Sequence, residues 1–269
     1  MRPIEGIVFD IDGCVARGNR ALPGVPETLA ALRTRGIRFA FLTNDNQNTI
    51  AFWVERLAKM GIEVNEREVL TSAIVAASVT RELYRDREIL PVGNVGLIEA
   101  LRAQGLQLLD HDRAAEAEVV VMGKDPNFNQ KTLELVCRAI WNGAEFVATN
   151  YDPKVPVADG FAPGTGPMIK AVAYATGKEP LVTGKPSKWA GEMAIKALGI
   201  APERGAVAGD QLEQDINMGK GAGLFTILVL SGATTADQAA AAPEALRPDV
   251  VLPDVNRLPA WLDNQRAEG

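Results

Sequence analysis

The strongest constraint on this chain is a rhythm: short apolar runs alternate with amphipathic segments that close on glycine, from Ile7 almost to the end. The pattern predicts strands at 6–10, 37–43, 88–92, 118–122, 145–149, 205–208 and 226–229. It predicts helices at 26–35, 49–60, 69–83, 96–104, 129–142, 164–176, 188–198, 215–222 and 259–265. Gly36, Gly61, Gly105, Gly143 and Gly177 stand just past five of these helices, where a left-handed residue ends one. Strands alternating with helices specify parallel pairing in βαβ units, hence an α/β fold. Two such series imply a core and an inserted domain, and 269 residues suffice for both. No repeat of fixed period is present, and the alanine run from Ala239 to Ala242 reads as a surface loop.

Charge and composition remove several functions. With 47% apolar and 23% charged residues the chain is globular. A net charge of −6 argues against a general nucleic-acid binder, which needs a basic face. It leaves small anionic ligands open, because a local site can be positive on an acidic protein. No apolar run approaches the roughly 18 residues of a membrane span. The start runs directly into Ile7-Val8-Phe9 without a signal-peptide pattern, so a cytoplasmic chain is expected. Cys14 and Cys137 are too few and too far apart to suggest a disulfide framework. The single histidine, His111, lies in the polar stretch Leu109-Asp110-His111-Asp112-Arg113, a poor setting for a general base. Chemistry must therefore run on carboxylates, Lys and Thr.

Four constellations offer such groups. Phe9-Asp10-Ile11-Asp12-Gly13 places two carboxylates two residues apart where the first strand ends, the edge at which open parallel sheets hold ligands. A carboxylate there can act as nucleophile and its neighbour as acid and base, although a solvated turn would look alike. An EF-hand is excluded, because Gly13 falls at the fourth position instead of the sixth. Phe41-Leu42-Thr43-Asn44-Asp45 ends a second strand in hydroxyl, amide and N–H groups that can hold phosphate oxygens or merely cap a helix. Gly184-Lys185-Pro186-Ser187 restrains a lysine that can neutralise a phosphoryl group. A P-loop is excluded, with Glu179 in place of the first glycine and Pro186 in place of the metal-binding hydroxyl. Gly209-Asp210, with Asp215 a turn later, follows another strand and offers hard oxygens for Mg²⁺, or else an N-cap and a dipole contact. The glycine-rich Gly219–Gly223 precedes a strand and reads as a turn, and Phe52, Trp53, Leu57 and Trp141 read as core.

Each motif alone is weak; their order is specific. The set resembles the haloacid dehalogenase-like (HAD) hydrolase superfamily, whose four motifs here read Asp10 and Asp12, Thr43, Lys185, and Asp210 with Asp215. The stretch Gly143 to Pro153, followed by Pro163-Gly164-Thr165-Gly166, resembles the cap of the NagD-like (class IIA) phosphatases. The resemblance spans nearly the whole chain. It implies a Rossmann-like three-layer parallel-sheet core over 1–83 and 183–269, and an inserted α/β cap of the class IIA type over 84–182. It implies an Mg²⁺-dependent phosphatase acting on small phosphate monoesters such as sugar, glycerol, nucleotide or 4-nitrophenyl phosphates. Asp10 would be the nucleophile and Asp12 the acid and base. Thr43, Asn44 and Lys185 would hold the phosphoryl group. Asp10, the Asp12 main-chain carbonyl and Asp210 would ligate the metal, with Asp215 orienting that shell.

The resemblance leaves a homo-oligomer through the cap open, and names Asn150 and Asp152 as cap candidates. A phosphotransferase or phosphomutase of the same fold, or a non-catalytic phosphometabolite-binding protein, are the competing readings. The chain departs from the group at Asp45, which follows Asn44 where Asn-Asn-Ser commonly follows the Thr; at Gln211, where Arg is usual; and at Cys14, where an apolar residue is usual.

Overall fold

A computed structural model describes residues 4–157 and 160–267, leaving the ends of the expected core segments, 1–3 and 268–269, outside the described residues. The chain divides into two compact units. The first comprises residues 1–43, 51–70 and 185–269; the second comprises 44–50 and 71–184, which is wider than the span 84–182.

The first unit is built on a six-stranded sheet in the order Val250–Leu252, Phe225–Val229, Gly205–Gly209, Gly6–Phe9, Arg38–Thr43, Val69–Thr71. Gly6–Phe9 is central and pairs in parallel on both sides, Phe9 lying opposite Ala208 and Phe41. That register brings the carboxyl ends of three strands to one edge, carrying Asp10, Thr43 and Asp210 together. Every residue of Gly6–Phe9 and Gly205–Gly209 is buried, as expected for strands covered on both faces.

The second unit carries a parallel sheet in the order Leu181–Val182, Glu145–Ala148, Val119–Met122, Glu88–Val92, Gln107–Leu108. Strand alternation sorts its core onto two faces. Val120, Met122, Phe146 and Ala148 pack with Gln130–Trp141 on one side. Val119, Val121 and Val147 pack with Ser72–Tyr84 and Val95–Ala103 on the other. The five glycines read as helix stops all take positive φ, between 68° at Gly105 and 105° at Gly143.

Several elements differ from the sequence reading. Residues 69–83 are not one helix: the β-branched start forms the strand Val69–Thr71, and Thr71 then caps Ser72–Tyr84 through its Oγ1, which accepts from Ile74 N at 3.3 Å. In place of a helix over 215–222, a π-helical turn, Leu212–Ile216, precedes the short helix Asn217–Gly221. The alanine run is partly helical, Ala236–Ala240, with a capping box at Thr235 and Gln238 and with Ala239 and Ala242 buried. Trp53 and Leu57 are core residues as expected, but Phe52 is 43% and Trp141 61% exposed, each standing on the solvent side of its helix. The hairpin Lys154–Val157 with Gly160–Pro163 and the strands Leu181–Val182 and Val250–Leu252 carry too little apolar pattern to be read.

Candidate active site

The first unit gathers its charged groups where its central strands end. Asp10 follows Phe9, its amide donating to Ala208 O at 2.9 Å. Its carboxylate, only 7% exposed, accepts from Lys185 Nζ. The same ammonium donates to Asp215 Oδ1 at 2.7 Å. Lys185 is 3% exposed and Asp215 fully buried. Asp215 owes its position to the π-helical turn, with its Oδ2 accepting from Gln211 N at 3.1 Å. Asp210 is 2% exposed. Its Oδ2 accepts from Ala233 N at 2.6 Å, and its Oδ1 is buried without a hydrogen-bond partner.

Asp10, Asp210 and Asp215 each offer an oxygen within 4.8 Å of the others. Three buried carboxylates thus face one ammonium, and the electrostatics show the imbalance. Burial, reinforced by Asp215 and Asp210, pushes Asp10 well above the usual carboxylate range despite Lys185. Burial and then Asp215 push Asp210 up to about 6. Lys185 opposes its own burial through the two carboxylates it bonds and is held firmly protonated. An orphaned buried oxygen beside surplus hard-oxygen charge fits a divalent cation such as Mg²⁺.

The other expected residues follow the same strand ends or lie in the second unit. Thr43 is buried at the end of its strand. Asp12 lies just before the turn at 13–15, its side chain 43% exposed and its Oδ1 3.9 Å from Arg56 Nη2. Asn44 belongs to the second unit, where its Nδ2 donates to Asp152 Oδ1 at 3.2 Å and its carbonyl accepts from Asn150 Nδ2 at 2.6 Å. The two cap candidates therefore gather around Asn44. His111 stays outside this chemistry: it is exposed and lies 3.4 Å from Pro91 O.

The three departures have local explanations. Asp45 accepts from Gln47 N at 3.0 Å, Asn48 N at 3.3 Å and Asn48 Nδ2 at 2.9 Å, so its carboxylate serves its own loop. Gln211 is exposed and serves Asp215 through its backbone. Cys14 is buried, donates to Ala208 O at 3.3 Å, and is held as a thiol by burial and then by Asp10.

One part of the site had no sequence signal. The loop after Phe225–Val229 closes on Asp210: Ser231 Oγ donates to Gly13 O at 2.7 Å, and Thr234 N donates to Asp210 O at 3.2 Å. Gly13, at φ 93°, and Gly232 lie so close that a Cβ on either would run into the Asp210 carboxylate. Gly232→Ala is therefore expected to cost about 1–3 kcal/mol of stability, read by thermal melting.

Known proteins are similar to this chain over most of its length. A family profile described as haloacid dehalogenase-like hydrolase matches residues 7–107, and one described as HAD-hydrolase-like matches 182–258. Human glycerol-3-phosphate phosphatase is 33% identical, covering 86% of this chain and 80% of its own. NagD from E. coli K-12 superposes with a TM-score of 0.87 at 30% identity, covering 94% of this chain and 98% of its own. A glycerol phosphate phosphatase from Mycobacterium tuberculosis, solved in complex with magnesium, gives 0.89 at 29% identity, covering 96% and 77%. The chain belongs to the haloacid dehalogenase-like hydrolases, in their NagD-like class IIA branch. Within that family it is a phosphatase, a phosphoric monoester hydrolase.

Proposed function

We propose that this phosphatase is Mg²⁺-dependent and hydrolyses small phosphate monoesters through a phosphorylated Asp10. The observation that carries this reading is the buried group itself, in which Asp10 meets Lys185 beside the orphaned Asp210 Oδ1. The Asp10 carboxylate attacks phosphorus as the ester P–O bond breaks. The Asp12 carboxyl gives its proton to the departing oxygen, then takes one from the water that attacks the aspartyl phosphate. Inorganic phosphate leaves and Asp10 is regenerated. Lys185, the Thr43 hydroxyl and the Asn44 backbone hold the phosphoryl oxygens. Asp10, Asp210 and the Asp12 main-chain carbonyl would hold Mg²⁺, with Asp215 orienting the group. When bound, the ion supplies charge neutralisation for the phosphoryl oxygens.

The second unit is read as the cap that selects the substrate, over the span expected at 84–182. The compartment is read as cytoplasmic, which suits two buried, unpaired thiols. Among the described residues no helix is long and apolar enough to cross a membrane.

The test is phosphate release from 4-nitrophenyl phosphate and from glycerol, sugar and nucleotide phosphates, with Mg²⁺ and with EDTA. Turnover that EDTA stops supports the reading; turnover unchanged by EDTA contradicts the metal role.

The raised carboxylates give this metal a pH signature. Asp210 has a folded-state value near 6 against an unfolded value near 3.8, so the folded apo protein favours its protonated form. The Asp210 contribution to apo stability is therefore expected to be lost as pH rises from about 4 to about 6, with the raised Asp10 adding to the decline. Mg²⁺ must displace that proton. Its stabilising effect on Tm is thus expected to be larger at about pH 7.5 than at about pH 5, and an equal shift at both would contradict the assignment.

A further inference from the structure

The Asp12 carboxylate stands at a turn with 43% of its side chain open, yet proton transfer needs it held in one direction. The helix Ile50–Lys59 supplies a candidate for that task. Trp53 and Arg56 are three residues apart and so share one face of it. The Trp53 indole is 1% exposed, fixed in the core, and the Arg56 guanidinium lies 4.5 Å above its ring. Arg56 Nη2 also donates to Gly18 O at 2.7 Å, in the hairpin Ala16–Arg17 with Arg20–Ala21 that follows Asp12. Its side chain is only 19% exposed, and its Nε is buried with no hydrogen-bond partner. A guanidinium clamped by an aromatic ring below and a carbonyl beside it has little freedom. Its remaining charge faces Asp12 Oδ1 at 3.9 Å.

We infer that Arg56 is a positioning residue for Asp12, aiming its carboxyl at the departing oxygen. The inference rests on the phosphatase reading above and deepens it. At 3.9 Å between partly exposed groups the pair contributes little to stability, so its effect belongs in the rate. Arg56 acts only through proton donation. Its removal therefore hurts esters that leave as alkoxides, which need the proton, and spares 4-nitrophenyl phosphate, whose phenolate leaves without one.

The test compares kcat/KM, which reports steps through leaving-group departure, for 4-nitrophenyl phosphate and for whichever alkyl phosphate the wild type turns over. Arg56→Met keeps packing on Trp53 without charge, and Arg56→Lys restores charge without the planar fork. Arg56→Met is expected to lose about 10-fold on the alkyl phosphate and less than about threefold on 4-nitrophenyl phosphate, with Arg56→Lys recovering part of the difference. Asp12→Asn is the reference and is expected to show the same bias, at about 100-fold or more on the alkyl ester. The double variant should add no further bias to that of Asp12→Asn. Equal losses on both esters for Arg56→Met, or no loss on either, with Asp12→Asn still biased, would overturn the inference alone. An unbiased Asp12→Asn would remove the acid role itself, and the positioning role with it.

Discussion

Asp10→Asn is expected to remove turnover of every ester the wild type accepts, by about 10⁴-fold or more, while the protein stays folded. The size follows from the role: the carboxylate is the atom that bonds to phosphorus, and loss of a nucleophile leaves only binding and positioning. The stability outcome separates this from damage. Asparagine still offers an oxygen to Lys185 Nζ, and Asp215 keeps its bond to that ammonium at 2.7 Å. The change also removes one of three mutually repelling buried carboxylates. Without metal, Tm should therefore hold or rise, while the Mg²⁺-induced shift shrinks. A variant that loses activity and also melts far below the wild type in EDTA would count against the assignment, because it would place Asp10 among structural residues.

Lys185→Met should behave in the opposite way. The ammonium is the counter-charge bonded to both Asp10 and Asp215, and removing one partner of a buried ion pair costs about 3–5 kcal/mol. For a chain of this size that is a drop of about 10 °C in Tm. The sign of the pH dependence follows from the carboxylates left behind. Burial already pushes Asp10 up, and losing the ammonium raises it further, so the variant folds most readily with Asp10 protonated. The deficit is then smallest near pH 4 and grows as pH rises towards neutrality. Activity should fall about 10³-fold, the usual loss for one preorganised donor to a phosphoryl oxygen. Melting curves of wild type and variant across that pH range give the check. A deficit that is flat with pH would mean Lys185 is not the neutraliser of these acids.

Much of this is legible in the residues themselves. Phe9-Asp10, Leu42-Thr43 and Ala208-Gly209-Asp210 each join an apolar run to a polar end, and a parallel sheet has one edge at which such ends meet. Period and glycine stops therefore carry the core strands and most helices. What is not legible depends on contacts between distant segments. Nothing in Ser231-Gly232-Ala233-Thr234 marks it as the loop that closes on Asp210: it reaches that residue through backbone N–H groups, and its serine and glycine are ordinary loop residues. The π-helical turn of Leu212–Ile216 is a departure from helical period over a single turn, too brief to register. Asp45 reads as an extra charge near a phosphate site, and only the positions of Gln47 and Asn48 show where its oxygens go. Arg56 has a visible spacing from Trp53, but the approach of Gly18 and Asp12 leaves no trace in the sequence.

The central claim is a covalent phosphate on Asp10, and the most direct measurement is to trap it. Wild-type enzyme turning over a ³²P-labelled ester with Mg²⁺ would be quenched in acid, digested and mapped by mass spectrometry. The account predicts hydroxylamine-labile label on the peptide that contains Asp10, absent from Asp10→Asn. Label on another residue, or none on an enzyme that is releasing phosphate, would contradict it.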